Sequence, residues 1–402
     1  MVVYFSLCCV IYCLCAVFVN AFGIASPELQ QYLGTTEMQQ GLIITFQSVG
    51  GLLSAIFLAL YGERFNKIKT VGIGVCALVV SMIAVGLVPS LLPRGSSPGT
   101  AYVLVFLLLA LGGFGNSTID LTMNGMVADL FPRKKGLYIP VIHTFYGMGA
   151  MAVPFLFMSS VRFWNGAPGF TTPYLLIGVF GLVSFAVYSV ISRKITPNSD
   201  MTAIRQQACE KPAEVFQNPL AWLLMLIAFL YTAFQYGMST WLSTYNIQHM
   251  AMPAKTSGYV ISAYFSVALV MRLMTPRILN RMSADKYYTL FGVLAATVLL
   301  GAFLCGSAGM FSLCLILGGF LQGGMVPCFM IIASNTFPNR QSSAASFFLI
   351  ALSIAGLIIP VLMGIIIEYI SFRFAMLGVV LCLLSSAVVL RAVSGKTNTQ
   401  EV

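Results

Sequence analysis

The sequence predicts an all-α membrane protein: twelve transmembrane helices arranged as two pseudo-symmetric six-helix bundles. Three observations carry this. The 402-residue chain is 59% hydrophobic and only 8% charged, with a mean hydropathy of +0.92, whereas soluble domains carry roughly 25% charged residues. Its apolar runs are continuous over about twenty residues or more, the length a helix needs to cross a bilayer. A membrane barrel would instead alternate apolar and polar residues in segments of about ten. Finally, short motifs of the first half recur in the second at a constant spacing.

Taken in order, helices are expected near 3–31, 39–61, 70–92, 101–131, 137–161, 172–193, 219–247, 257–276, 286–308, 311–337, 342–369 and 373–392. The first run begins at Val2 and meets no charge before Glu28. It lacks the positive n-region and small-residue cleavage site of a secretory signal, so it is expected to stay as a helix. Arg94–Gly99 and Trp164–Thr172 carry the Gly, Pro and Ser of turns. Ser192–Asn218 is the one long polar stretch. The expected organisation is therefore an N-terminal bundle over 1–193, a cytoplasmic linker over 194–218, a C-terminal bundle over 219–394 and a tail over 395–402.

Lys and Arg set the orientation. With the N-terminus in the cytoplasm, 17 of the 21 basic residues fall in inside loops and the tail, leaving Arg94, Arg162, Lys255 and Arg373 outside. Both termini are thus expected in the cytoplasm of an inner-membrane protein. The same loop-by-loop alternation explains the net charge of +10 without a nucleic-acid partner. The ten cysteines lie mostly within apolar runs and show no metal-ligand spacing, so they read as packing residues. No G-x-x-x-x-G-K-[ST] loop occurs. No metal or cofactor is expected, and any energy should come from an ion or solute gradient.

The repeat is visible in residues. Gly112-Gly113-Phe114 recurs as Gly318-Gly319-Phe320, Phe131-Pro132 as Phe337-Pro338 and Pro154 as Pro360, all 206 residues apart. In the earlier helices Gly41 matches Gly258 at 217 and Gly74 matches Gly292 at 218. A longer outer loop in the first half would account for the change. Repeated membrane helices are the architecture of secondary transporters, with solute held near the midplane.

A charge in lipid costs at least about 2.5–3.5 kcal/mol, so buried ionisable groups mark pathways. Asp120 lies deep in the fourth helix. Asn116, Asp120 and Asn124 are spaced by four and share a helix face, a stripe expected to meet a wet cavity or to bond neighbouring helices. Asp120 is the expected proton-coupling residue, with His143 on helix five as its hydrogen-bond partner or a solute ligand. Gln235, Tyr236, Gln322 and Asn335 offer neutral donors and acceptors, and Tyr146 and Trp241 flat aromatic faces. That combination suits sugars, although plain packing serves the aromatics equally well. Glu63, Arg64, Asp129, Arg133 and Arg272 are expected to form ion pairs that close a cytoplasmic gate.

The residues resemble the major facilitator superfamily over essentially the whole chain. Glu63-Arg64-Phe65-Asn66-Lys67 is similar to its loop between helices two and three, with Asn66 in place of the usual Gly and Ala59 where another Gly is expected. A narrower resemblance is to the fucose-permease-like sugar:proton symporters. Helix seven reads Phe229-Leu230-Tyr231, then Gln235, Trp241 and Tyr245, with Gln235 where the family has Glu. The run His143-Thr144-Phe145-Tyr146-Gly147-Met148-Gly149-Ala150, after Asp120 and Asn124, is similar to that family too. On helix one, counting back from Pro27, Asn20 stands in the region where the family carries an acid, and is included as a solute ligand. The resemblance implies a monomeric carrier, not an enzyme, coupling uptake of a hydroxylated solute such as a monosaccharide to protons. Export of an apolar drug-like compound and solute sensing without transport are the alternatives.

Overall fold

A computed structural model describes residues 2–61, 66–92, 98–130, 135–158, 168–193, 218–337 and 341–397, with the side chains at 2, 59–61, 98, 124, 125, 128–130, 135–140, 341–347, 349 and 394–397 outside that description. The helices are α1 (Val2–Leu33), α2 (Glu37–Tyr61), α3 (Lys67–Leu91), α4 (Pro98–Leu130), α5 (Lys135–Met158), α6 (Thr171–Ser192), α7 (Pro219–Thr244), α8 (Ala254–Leu279), α9 (Ala284–Leu304), α10 (Ala308–Gln322), α11 (Met325–Thr336), α12 (Gln341–Tyr369) and α13 (Phe372–Thr397). A single π-turn, Tyr245–His249, prolongs α7. Among the described residues, twelve segments are long and apolar enough to cross a membrane, because α10 and α11 form one span, Ala308–Thr336.

That divided span corrects the continuous helix expected over 311–337. Local chemistry shapes the other ends. Gly34 takes φ +63° in the turn after α1, where L side chains are strained. Asn66 and Asn218 cap α3 and α7, their side-chain oxygens accepting from Ile68 N and Leu220 N at 2.9 Å each. Pro219 follows at the first helical position, where a missing N–H costs nothing.

The contacts divide the chain into two units, Met1–Arg205 and Gln206–Val402. In the first, α1 packs on α5, α2 and α3 both pack on α4, and α3 packs on α6. In the second, α7 packs on α12, α8 and α9 both pack on α10, and α9 packs on α13. Numbered by span, these are the same pairings six spans on.

The register agrees residue by residue. A Cβ added at Gly113 would lie 1.9 Å from the Gln47 carbonyl oxygen, and one at Gly319 would lie 2.5 Å from the Tyr264 ring and 2.9 Å from its carbonyl oxygen. Gly113 and Gly319 are 206 apart, while Gln47 and Tyr264 are 217 apart. A Cβ at Gly112 would meet Ser81 Oγ at 2.5 Å, and one at Gly318 would meet the Leu299 side chain at 2.5 Å. Ser81 and Leu299 are 218 apart. The two spacings read from sequence therefore meet across real helix contacts, where small residues let backbones approach. The surplus in the first half is only partly a loop: α3 has 25 residues against 21 in α9.

Candidate functional site

In the first unit, polar side chains from three helices converge. Tyr12 on α1 is 1% exposed, and its hydroxyl donates to Asp120 Oδ1 on α4. Its ring meets His143 edge-on at a centroid distance of 5.3 Å and Tyr146 at 6.3 Å, both on α5. A phenol buried in a lipid-spanning helix must find an acceptor, and a carboxylate there must find a donor. One hydrogen bond answers both needs. Tyr12 and Asp120 each lie about 8–9 Å from the midpoint of their helices at 1.5 Å per residue, well inside a hydrocarbon core about 30 Å thick. Asp120 and Tyr146 are half-buried and His143 is exposed. Such a cluster brings a carboxylate, a phenol and an imidazole together within one half.

The rest of the expected stripe is less engaged. Asn116 is half-buried with an Oδ1 that has no hydrogen-bond partner, and the Asn124 side chain lies outside the described residues. Asn20 is buried and donates back to the Ala16 carbonyl at 2.8 Å, one turn earlier in α1.

The second unit carries a network of amides and phenols. Tyr231 on α7 donates to Gln322 Oε1 on α10 at 3.0 Å. Gln235 Nε2, one turn on from Tyr231, donates to the Tyr231 hydroxyl at 3.1 Å. Gln322 Nε2 donates to the Tyr264 hydroxyl on α8 at 3.4 Å. Gln322 ends α10, at the break in its span. Arg272 on α8 donates from Nε to the Gly323 carbonyl at 3.3 Å. It thus satisfies one of the carbonyls that the interrupted helix leaves without a partner.

Several expected residues are placed elsewhere. Trp241 is fully buried, its indole N–H donates to the Pro360 carbonyl at 3.3 Å, and Phe372 meets its ring edge-on at 5.9 Å. It thus ties α7 to α12. Asn335 is exposed near the end of α11, and Tyr236 is half-buried on α7. Of the expected gate, Glu63, Arg64 and Arg133 and the Asp129 side chain lie outside the described residues. Arg272 bonds to the broken span of its own half. Among the described residues, no three His, Cys, Asp or Glu side chains form a group that could hold a metal.

Sequence reasoning missed Tyr12 and Tyr264. The available signal was a phenol in the middle of an apolar run, which demands a partner wherever it lands.

The Major Facilitator Superfamily model matches residues 8–316. The chain is 20% identical over 372 residues, covering 88% of its own length and 82% of the relative's, to Inner membrane transport protein YdiN of Escherichia coli (strain K12). In fold it is similar to the crystal structure of a D-xylose-proton symporter, with a TM-score of 0.80, 10% identity and coverage of 96% of each chain. It is likewise similar to the nucleoside transporter NupG, with a TM-score of 0.74, 13% identity and coverage of 97% and 98%. With a family model spanning most of its length and twelve apolar spans in two matching sets of six, this multi-pass membrane protein belongs to the Major Facilitator Superfamily.

Proposed function

We infer that the protein is a proton-coupled secondary transporter that takes up a small hydroxylated solute, such as a monosaccharide, by alternating access. The observation that carries this reading is the Asp120 carboxylate bonded to the Tyr12 hydroxyl beside His143. A carboxylate at that depth is costly when charged, and it stands bonded to a phenol whose ring packs against an imidazole, a set of groups suited to coupling solute movement to protons. The amides and phenols of the second unit add neutral donors and acceptors of the kind hydroxyl groups require. On this reading the protein acts as a monomer in the inner membrane with both termini in the cytoplasm. One proton moving down 100 mV supplies about 2.3 kcal/mol, enough for about 50-fold accumulation of a neutral solute.

The test is uptake into proteoliposomes across a panel of radiolabelled sugars, with and without an imposed proton gradient. Accumulation should appear with the gradient and collapse when an ionophore dissipates it. Equal uptake in both conditions would remove proton coupling from the reading.

A further inference from the structure

We propose that the hydroxylated solute carries a carboxylate and that Arg272 holds it. This rests on the transport reading above and names the class of solute within it.

Arg272 lies on α8 seven residues before Leu279, so its Cα is about 8 Å from the midpoint of that helix. Its side chain reaches inward from there. Nε meets the carbonyl of Gly323, which sits at the centre of the tenth span, Ala308–Thr336. The guanidinium is therefore held near mid-membrane, where a cation costs about 2.5–3.5 kcal/mol or more. Within its own half no described carboxylate pairs with it: Asp285 opens α9 and Glu368 lies in the last turn of α12. Among the described residues, the Gly323 carbonyl is its one hydrogen-bond acceptor. A single neutral carbonyl offsets only part of the desolvation of a full charge.

The geometry of that one bond matters. Because Nε is committed to Gly323, the two terminal nitrogens remain. Neither makes a hydrogen bond among the described residues, and neither is sealed from solvent. These two N–H groups form the fork that fits a planar carboxylate with two parallel bonds. Gly323 directly follows Gln322 in the chain, so the guanidinium lies beside the Tyr231, Gln235 and Gln322 network. A carboxylate on the fork would leave a solute's hydroxyls facing amides and phenols. One guanidinium matches one negative charge. A phosphate dianion would bring a second charge that one guanidinium does not match.

The experiment uses the purified full-length protein in nanodiscs. Binding is read by thermal shift and isothermal calorimetry with galacturonate against galactose, glucuronate against glucose, and glucose 6-phosphate as the dianionic control. The acid should bind more tightly than its neutral partner by about 10–100-fold, the range of a charge-assisted bond. Arg272→Gln should remove that preference and Arg272→Lys should keep part of it. Equal binding of acid and neutral sugar by the wild-type protein, which needs no variant, would overturn the proposal. So would tighter binding of glucose 6-phosphate, or an Arg272→Gln variant that melts normally and still prefers the acid. If proton-driven uptake of neutral sugars is found without acid preference, the transport reading survives and this inference fails. If neither acids nor neutral sugars bind or accumulate, the transport reading fails and takes this inference with it.

Discussion

The two halves use one construction with different chemistry. In each, a tyrosine on the first span donates to a polar side chain on the fourth: Tyr12 to Asp120 in the first unit, Tyr231 to Gln322 in the second. The acceptors are not strict counterparts. At the 206-residue spacing Gln322 corresponds to Asn116, one helical turn before Asp120, and Asn116 has an oxygen with no partner. So the acceptor has moved one turn and changed from an amide to a carboxylate. An amide cannot take up a proton at physiological pH, whereas a carboxylate can. The same tie is therefore built on an amide in one half and on a carboxylate in the other.

The largest way to break this contrast is Asp120→Asn, which gives the first half an amide like the second. Asparagine still accepts from Tyr12, so the fold should hold. Accumulation against a gradient should fall from about 50-fold to none, while exchange of labelled for unlabelled solute persists. Measuring both in one set of proteoliposomes checks it, and wild-type accumulation in the variant would exclude Asp120 from coupling.

A second contrast concerns packing at matched glycines. Gly113 faces backbone, with a Cβ contact of 1.9 Å to the Gln47 carbonyl oxygen, while the nearest atom to Gly319 belongs to the Tyr264 side chain at 2.5 Å. A ring can shift and a helical carbonyl cannot without moving its helix. Gly113→Ala should cost about 3 kcal/mol or more and Gly319→Ala about 1–3 kcal/mol, read as loss of monodisperse protein and of melting temperature. Equal losses would mean that the fourth spans are packed alike.

How much of this could be read from sequence differs by feature. Span number and repeat spacing were legible because lipid forces long apolar runs and because the glycines mark contacts. Asp120 was legible because an acid in such a run is conspicuous. The break at Gly323–Gly324 was not, since Gly112-Gly113 is the same dipeptide inside an unbroken helix. What differs is distant: Arg272 takes the Gly323 carbonyl, and a Cβ at Gly324 would lie 2.2 Å from both Thr275 Oγ1 and the Tyr287 hydroxyl. Tyr12 was hidden for a related reason. Nothing near it in the sequence hints at a carboxylate 108 residues away.

The amide tie itself can be sharpened with Gln322→Leu. Gln322 accepts from Tyr231 and donates to Tyr264, both buried. Leucine keeps the volume but removes the acceptor of Tyr231 and the donor to Tyr264, at about 1–3 kcal/mol for buried groups left unsatisfied. Tyr12→Phe in the first half removes a donor from the half-buried Asp120, at a similar cost in stability. Its effect should also appear in the pH profile of uptake, which Gln322→Leu should leave in place. Unfolding in detergent and uptake across a pH series separate the two. A pH profile displaced equally by both variants would erase the distinction between a proton-responsive half and an indifferent one.

The smallest expected effect belongs to Trp241→Phe. The indole face is closed off by its neighbours and its N–H is committed to Pro360, so solute has no surface there to stack on. Phenylalanine retains most of the buried ring and gives up one interhelical hydrogen bond, a loss of about 0.6 kcal/mol on average within membranes. Uptake should stay within about threefold of wild type, since 0.6 kcal/mol corresponds to a factor of about three at most even if all of it fell on one conformational step. Pro360 matches Pro154 at the 206-residue spacing, so this bond anchors the second half's version of a helix contact the first half makes without tryptophan. A loss of solute affinity well beyond threefold, with melting unchanged, would return Trp241 to the solute path and show that its ring becomes uncovered at some stage of the cycle.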